Sequence, residues 1–285
     1  MRLTHAHGEL EIDRCLVMGI VNRTPDSFYD GGRMGLQESV DFAARLVDEG
    51  ADLVDLGAVK AGPGPEVPPE EEAERLMPLL EAVAARVSAP VSVETADPKL
   101  AHRAIEAGAA IVNDVRGLTD EGLAEVCAGT GAALVLMHSG GQIRGRPRHP
   151  RYSDVVDDVL REWDAMVARA VSAGMKREQL IVDPGLDFGK TTYHSLEIVR
   201  RLDELLAFGL PLMLAPSRKD VVGETLDLPL DERLEGTLAI VALAVAAGAH
   251  IVRVHDVKAA ARTVAMTEAI AGRRKPARPL RGLWD

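Results

Sequence analysis

Polar side chains stand at the end of almost every short apolar run in this sequence. Acids, amides, bases and a thioether are represented, and they come from runs that are far apart along the chain. These residues are Asn22, Asp55, Glu94, Asn113, Asp114, Met137, His138, Asp183, Ser217, Arg218, Lys219, Arg253, His255 and Asp256. No single one of them indicates a site, because polar residues commonly follow strands. As a set from separate runs, they are better explained by a binding site than by solvated turns.

Three of these residues could bind the edge of a flat ring. Glu94, Asn113 and Asp183 provide carboxylates and an amide, which between them accept and donate hydrogen bonds. A buried heterocycle with ring N–H groups and carbonyl oxygens needs a partner for each of these groups. The set therefore favours a flat heterocyclic ligand.

Lys219, Arg253 and His255 form the cationic part of the set. They suit a phosphate or a diphosphate, because charge-assisted hydrogen bonds to such anions are strong. The alternative interpretation is a structural network of buried ion pairs, which also occurs at the ends of barrel strands. His138 taken alone is interpreted as a hydrogen-bonded histidine of the core or rim.

A polar loop follows the first apolar run. Residues 21–32 read VNRTPDSFYDGG, with Asp, Asn, Thr and Ser crowded together beside Pro and Gly. Such a segment could be a simple turn or an active-site loop. It follows the first predicted strand on the side where the other polar residues gather, so we interpret it as part of the site.

The elements that must position these residues are predicted from the apolar runs. The runs are CLVMGIVN, ADLVDLG, VSVET, AAIVNDV, AALVLMH, LIVDPG, PLMLAPS and HIVRVHD. They are rich in Val, Ile and Leu and lack strict alternation, which is typical of parallel strands buried on both faces. Helix-like stretches such as LQESVDFAARLVDEG lie between them. A recurring glycine, as in EGADLVD and AAGAHIVRV, supplies the left-handed residue that ends a helix before the next strand.

These units, repeated about every 30 residues, predict an α/β fold, a (β/α)8 TIM barrel in a single domain. An open doubly wound sheet is the alternative, but no GxGxxG fingerprint supports it. We predict one domain over residues 1–285, with the barrel at about 15–271 and a solvated basic tail at about 272–285. The active site of such a barrel lies at the carboxyl ends of its strands.

Composition excludes several classes of protein. The net charge of −11 argues against a nucleic-acid partner, and the longest apolar stretch is too short to cross a membrane. Cys15 and Cys127 have no metal-binding spacing and are expected to be buried, reduced core residues, so we expect a cytoplasmic protein.

Sequence motifs give no sign of a tightly bound transition metal, a Walker A loop or a GxSxG elbow. Magnesium could still arrive with a diphosphate, which supplies most of the ligands itself. Asn22 could add a protein oxygen.

The motifs MGIVNRTPDSFYDGG, NDVRGL, VLMHSGG, DPGLDFGK, PSRK, ERLEGTLA and RVHDV resemble those of the dihydropteroate synthase family in order and in spacing. The resemblance extends over roughly residues 15–271. It implies a barrel enzyme of folate biosynthesis, which joins 6-hydroxymethyl-7,8-dihydropterin diphosphate to the aromatic amine p-aminobenzoate and releases diphosphate. It also implies a homodimer and a first loop that folds over the site.

The resemblance implies a role for each matching residue. Asn113 and Asp183 would hold the pterin ring, Met137 would pack near it, and Lys219 would bind its polar edge; Arg253 and His255 would hold the diphosphate, with Asn22 on Mg²⁺. We expect Lys219, Arg253 and His255 to be catalytic, because fixed cations stabilise a departing diphosphate. The expected substrate-binding set is Glu94, Ala61, Asn113, Met137, Asp183, Lys219, Asp220, Arg253 and His255.

The chain departs from the family pattern in three places. Glu94 replaces an Asp at the end of the third strand; Ala61 and Gly62 replace Thr and Arg after the second; Asp220 replaces a Ser near the amine carboxylate. A carboxylate at Asp220 would repel p-aminobenzoate by about 4 kcal/mol at a separation of about 4 Å. Two compensators could offset this repulsion: Lys60, and the arginines of the loop after the fifth strand, namely Arg144, Arg146, Arg148 and Arg151. The alternative interpretation of that loop is a solvated basic segment.

The amino-acid sequences of these segments are similar to those of a divergent second copy of the enzyme found in some actinobacteria. Three functions therefore stay open. The chain is a transferase with weak or altered activity on p-aminobenzoate, a transferase using a different amine, or a pterin-binding protein without turnover. A methyltetrahydrofolate-binding barrel is a more distant alternative, because it has no use for the diphosphate set.

Overall fold

The computed structural model describes residues 1–23, 35–59, 67–141, 150–279 and 281. Its strands are β1 (Arg2–His5), β2 (Gly8–Glu11), β3 (Leu16–Asn22), β4 (Leu53–Gly57), β5 (Val91–Glu94), β6 (Ala109–Asp114), β7 (Ala133–Met137), β8 (Leu180–Asp183), β9 (Met213–Leu214) and β10 (Ile251–Val254). Strands β3 to β10 form one sheet in the order β8-β7-β6-β5-β4-β3-β10-β9. A parallel bridge from Val182 to Leu212 joins β8 to β9 and closes the sheet into a barrel.

Helices cover the outside of the barrel. They are α1 (Leu36–Asp48), α2 (Pro69–Arg86), α3 (Pro98–Glu106), α4 (Gly122–Thr130), α5 (Val155–Ser172), α6 (Thr192–Arg200), α7 (Leu202–Leu206), α8 (Asp220–Leu226), α9 (Leu234–Ala247) and α10 (Val257–Ile270). Short 3-10 turns occupy Arg177–Gln179 and Leu230–Glu232. The predicted eight-stranded barrel is confirmed, and each of the eight apolar runs contains one of its strands.

Local sequence signals explain where helices start and stop. Asp97 and Asp154 accept hydrogen bonds from backbone N–H groups in the first turns of α3 and α5, which satisfies donors that have no partner inside the helix. Gly50 and Gly248, in the predicted helix-to-strand signature, have φ of 107° and 112°. A side chain would strain that backbone, so glycine ends α1 and α9 and lets the next strand begin.

Two apolar cores lie on the two faces of the sheet. Outward-facing residues such as Val54, Val112 and Val252 pack against the helices. Inward-facing residues, spaced two apart along each strand, fill the interior of the barrel on the side of the strands' amino-terminal ends. The inner cluster includes Leu16, Met18, Leu53, Ile111, Val135, Ile181, Met213 and Ile251. Because both faces are buried, the strands show no alternation of polar and apolar residues, as the sequence indicated.

An antiparallel hairpin of β1 and β2 covers the amino-terminal end of the barrel. Leu3 is 0% exposed and joins the inner cluster together with Ile12, so the hairpin acts as an apolar plug. These two strands were not among the elements predicted from the sequence. Their alternating segments, RLTH and GELE, are only four residues each.

The cysteines and the described tail agree with their predicted environments. Cys15 and Cys127 are buried thiols. Residues 272–279 are exposed. Among the described residues, no helix is both long enough and apolar enough to span a bilayer.

Candidate active site

Strand register brings the first polar groups to one level at the carboxyl end of the barrel. Asn22 pairs with Gly57, Gly57 with Glu94, and Glu94 with Asn113 on successive neighbouring strands. The Asn22 side chain occupies the space above Gly57, where an added Cβ would lie 2.6 Å from Asn22 Oδ1. Glycine at this position therefore leaves room for the amide of Asn22.

Arg253 crosses this end of the barrel from β10 and contacts two carboxylates. Its Nε donates to Asp55 Oδ2 at 2.7 Å, and its Nη2 donates to Glu94 Oε2 at 2.9 Å. Asn113 Nδ2 donates to the same Asp55 oxygen at 3.0 Å. The expected phosphate-binding cation is thus part of a buried ion-pair network, which is the arrangement that the sequence analysis kept as its alternative.

Two acceptors in this network have no hydrogen-bond partner among the residues that the structure describes. They are Asp55 Oδ1 and Asn113 Oδ1, both buried. The amide orientation of Asn113 is set by its neighbour, because a carboxylate oxygen can only accept from Nδ2. A buried acceptor without a partner costs about 1–3 kcal/mol. The pair is therefore suited to a ligand that brings N–H donors into the barrel.

Asp183 and Lys219 face this network from β8 and the loop after β9. Asp183 Oδ1 accepts from Gly185 N at 2.7 Å, and Lys219 Nζ donates to Leu186 O at 2.8 Å. The Nζ also lies 4.9 Å from the centre of the Phe188 ring. Burial raises the pKa of Asp183 and lowers the pKa of Lys219, while the attraction between the two charges opposes both shifts.

Glu94 is a buried acid whose pKa lies well above its ordinary value. Burial raises the pKa of Glu94 to about 7, and the positive charge of Arg253 opposes that shift. Its side chain is only 8% exposed. The carboxyl thus lies in a place where protonation and ion pairing compete near neutral pH.

Lys190, to which the sequence analysis assigned no role, ties two of the site loops together. Its Nζ donates to His138 O, Gly185 O and Phe188 O at 2.9–3.0 Å and contacts His138 Nδ1 at 2.7 Å. His138 Nε2 lies 3.1 Å from Asp158 Oδ2, so the interpretation of His138 as a hydrogen-bonded histidine is confirmed. Lys190 is the last residue of the motif DPGLDFGK, and its place in that motif is the sequence signal by which it could have been found.

The remaining predicted polar residues at the strand ends also have partners. Ser217 Oγ lies 2.9 Å from His255 Nδ1. Arg218 forms a two-point ion pair with Asp256, with both contacts at 2.9 Å. Asp114 accepts from the N–H groups of the following loop, so it shapes that loop.

Asp220 lies in a different environment from the one expected. It is the first residue of α8, and its Oδ1 lies 3.1 Å from Arg233 Nη1. The Arg233 side chain is 15% exposed and also donates to Arg218 O. Arg233 therefore balances the charge of Asp220, a partner that the sequence did not indicate.

Several predicted residues lie outside the described part of the chain. These are most of the opening loop (24–34), the segment 60–66 with Lys60, Ala61 and Gly62, and the arginine loop 142–149. Arg151 is described and is exposed. Met137 is buried and pairs in register with Asp183, beside the expected pterin position.

A cleft of about 370 Å³ opens beside the polar groups, between the loop after β6 and helix α5. Met137 and His138 line it, but Asp55, Asn113 and Arg253 do not. The candidate site is therefore defined by the polar groups that converge at the strand ends. Within the described ranges, no cluster of three or more His, Cys, Asp or Glu side chains could hold a metal ion.

Comparisons of the sequence and of the structure with known proteins find the same group of relatives. Residues 18–255 match the family described as "Pterin binding enzyme". The chain is 48% identical to "Inactive dihydropteroate synthase 2" of Mycobacterium leprae over 95% of its length and 96% of that protein. It is 39% identical to dihydropteroate synthase of Escherichia coli, covering 94% and 96% of the two chains.

A solved structure of Yersinia pestis dihydropteroate synthase in complex with a sulfonamide drug superposes with a TM-score of 0.91. The two are 38% identical, and the match covers 95% of this chain and 99% of that one. Both expected resemblances, to the family and to its divergent second copy, are confirmed. The chain belongs to the pterin-binding enzyme family.

Proposed function

We propose that this protein binds 6-hydroxymethyl-7,8-dihydropterin diphosphate at the carboxyl end of its barrel and has weak or altered dihydropteroate synthase activity. The observation that carries this proposal is the pair of buried acceptors, Asp55 Oδ1 and Asn113 Oδ1, for which the described part of the chain offers no partner. They lie beside Asp183 and Lys219, which add further polar groups from the opposite strands. A pterin ring offers N–H groups to such acceptors.

Each residue has a task in this proposal. Asn113, Asp183 and Glu94 bind the ring, Met137 packs near it, and Lys219 binds its polar edge. Arg253 and His255 stabilise the charge of the departing diphosphate. Asp220 lies on the amine side, with its charge balanced by Arg233, and Ala61 belongs to the same side by resemblance.

Magnesium fits the residues present as a companion of the diphosphate. Asn22 Oδ1 and Glu94 Oε2 both lie near the position above Gly57, at 2.6 and 4.0 Å from an added Cβ. An ion that keeps most of its phosphate and water ligands needs only one or two such protein oxygens. Bound there, Mg²⁺ would neutralise diphosphate charge.

The second candidate is a pterin-binding protein without turnover. Two observations favour it. Relatives at 46–48% identity are named inactive, and Arg253 is held by two carboxylates. A diphosphate would have to compete with these carboxylates for the guanidinium.

Calorimetric titration with the pterin diphosphate and Mg²⁺ tests the binding. Asn113→Ala and Asp183→Asn should each weaken binding about tenfold or more, since each removes a partner of a buried polar group. Asp164→Asn, on the exposed face of α5, is the matched control and should bind as the parent does. Unchanged affinity in both site variants would exclude this location for the ring.

Addition of p-aminobenzoate then separates the two candidates. Diphosphate release that depends on the amine supports the transferase. Tight pterin binding, with no release for p-aminobenzoate or other aromatic amines, supports the binding protein.

We also infer a homodimer through helices α9 and α10. These helices pack together and run in the same direction, and they leave Leu243, Met266 and Ile270 exposed by 59%, 60% and 75%. Single exposed apolar residues are common. Here, however, the three exposed side chains lie on two helices that pack against each other.

A further inference from the structure

We propose that Glu94 withholds Arg253 from anions and so makes the diphosphate group contribute little to ligand affinity. The inference rests on the proposed pterin site and concerns its specificity. The site would then accept pterins with an uncharged 6-substituent and bind them about as tightly as it binds the diphosphate ester.

The contact depends on the length of the glutamate side chain. Glu94 lies on β5, whereas Arg253 lies on β10, with β3 and β4 between them in the barrel. The Nη2–Oε2 distance of 2.9 Å is therefore a contact across the barrel. An aspartate is shorter by one carbon–carbon bond of about 1.5 Å. From the same backbone its oxygen would lie roughly 4 Å from Nη2, beyond hydrogen-bond distance.

The second carboxylate keeps the guanidinium in place. Asp55 is 0% exposed and receives the Nε–H of Arg253 at 2.7 Å. With both acids ionised, the three groups carry a net negative charge, which repels an approaching anion. A diphosphate would also have to displace Glu94 to reach the edge of the guanidinium that presents two donors.

The neighbouring arginines do not replace Arg253 in this task. Arg218 is paired with Asp256 at 2.9 Å, and Arg233 is paired with Asp220 at 3.1 Å. Both of these arginines are therefore already matched with carboxylates. The acceptors for the ring, Asp55 Oδ1 and Asn113 Oδ1, are not affected by this pairing.

The test measures three ligands by calorimetry: inorganic pyrophosphate, 6-hydroxymethyl-7,8-dihydropterin and its diphosphate. For the parent protein we expect the two pterins to differ less than about threefold. Glu94→Asp should strengthen pyrophosphate binding about tenfold or more, as one charge-assisted hydrogen bond becomes available. The ratio of the affinity for the diphosphate ester to that for the uncharged pterin should rise in this variant by a similar factor.

Three controls make the result specific. Glu81→Asp, the same change on an exposed position of α2, should leave pyrophosphate binding unchanged. In an Arg253→Lys background, Glu94→Asp should lose most of its effect, because lysine lacks a second donor nitrogen to release from Glu94. If Glu94→Asp folds poorly, Glu94→Gln keeps the length, removes the charge and should also strengthen pyrophosphate binding.

The proposal is overturned if neither Glu94 variant strengthens pyrophosphate binding, or if the gain of Glu94→Asp persists undiminished beside Arg253→Lys. Absence of binding by both pterins, in the parent and in the variants, would instead overturn the proposed function. The pyrophosphate comparison would still report on Glu94 and Arg253.

Discussion

Glu94 links the stability of the protein to pH. Its pKa of about 7 in the folded protein exceeds the ordinary value of 4.5, because burial disfavours the charged carboxylate. The folded state therefore binds this proton more tightly than the unfolded chain does. The resulting stabilisation is fully present below about pH 4.5 and is lost as the pH rises through about 7.

We expect the parent protein to lose stability relative to Glu94→Gln between about pH 4.5 and 7, by at most about 3 kcal/mol. Urea unfolding of both proteins across this range measures the difference. Glutamine keeps the size of the side chain and does not titrate, so other groups cancel in the comparison. A constant difference across the range would show that Glu94 titrates normally.

Helix α8 depends on a glycine for reasons of space. A Cβ at Gly223 would lie 2.2 Å from Arg233 Cζ. That guanidinium is held by Asp220 Oδ1, Arg218 O and Leu228 O, so it cannot move aside without losing these contacts. Glycine is a poor helix former. Its presence inside α8 is explained by the Arg233 side chain, which fills the space that a Cβ would need.

Gly223→Ala should therefore destabilise the protein, although alanine is the better helix former. Gly129→Ala, in α4, is the matched control, because a Cβ there meets no atom within 4 Å. We expect Gly129→Ala to raise the free energy of unfolding by about 0.5–1 kcal/mol. Denaturant unfolding of both variants is the measurement, and equal stabilisation by the two would contradict the steric argument.

At the scale of the whole molecule, the exposed surface of α9 and α10 predicts the oligomeric state. Replacing both Leu243 and Ile270 by Glu places charges in the inferred dimer contact. We expect this variant to be a monomer by light scattering while the parent is a dimer. Val171→Glu, on α5, alters a residue that is 45% exposed and should leave the mass unchanged. A monomeric parent protein would contradict the inference.

Local sequence patterns were enough to predict the barrel. Each strand is an unbroken apolar run because helices cover one face and the inner core covers the other. Gly50 and Gly248 ended the preceding helices through their own backbone conformation. The hairpin at the amino-terminal end was missed, because four-residue strands carry too little periodicity to be recognised.

The sequence by itself determined the order of the elements, the level at which polar residues meet, and the identity of Asn113, Asp183 and Lys219 as candidate ligands. Only the tertiary structure decided which polar side chains at this end of the barrel are already paired with other side chains. Arg253 pairs with Asp55, 198 residues away, and Asp220 pairs with Arg233 across the start of α8. The reach of long side chains across a closed barrel sets such pairs, and spacing along the chain carries no record of that distance.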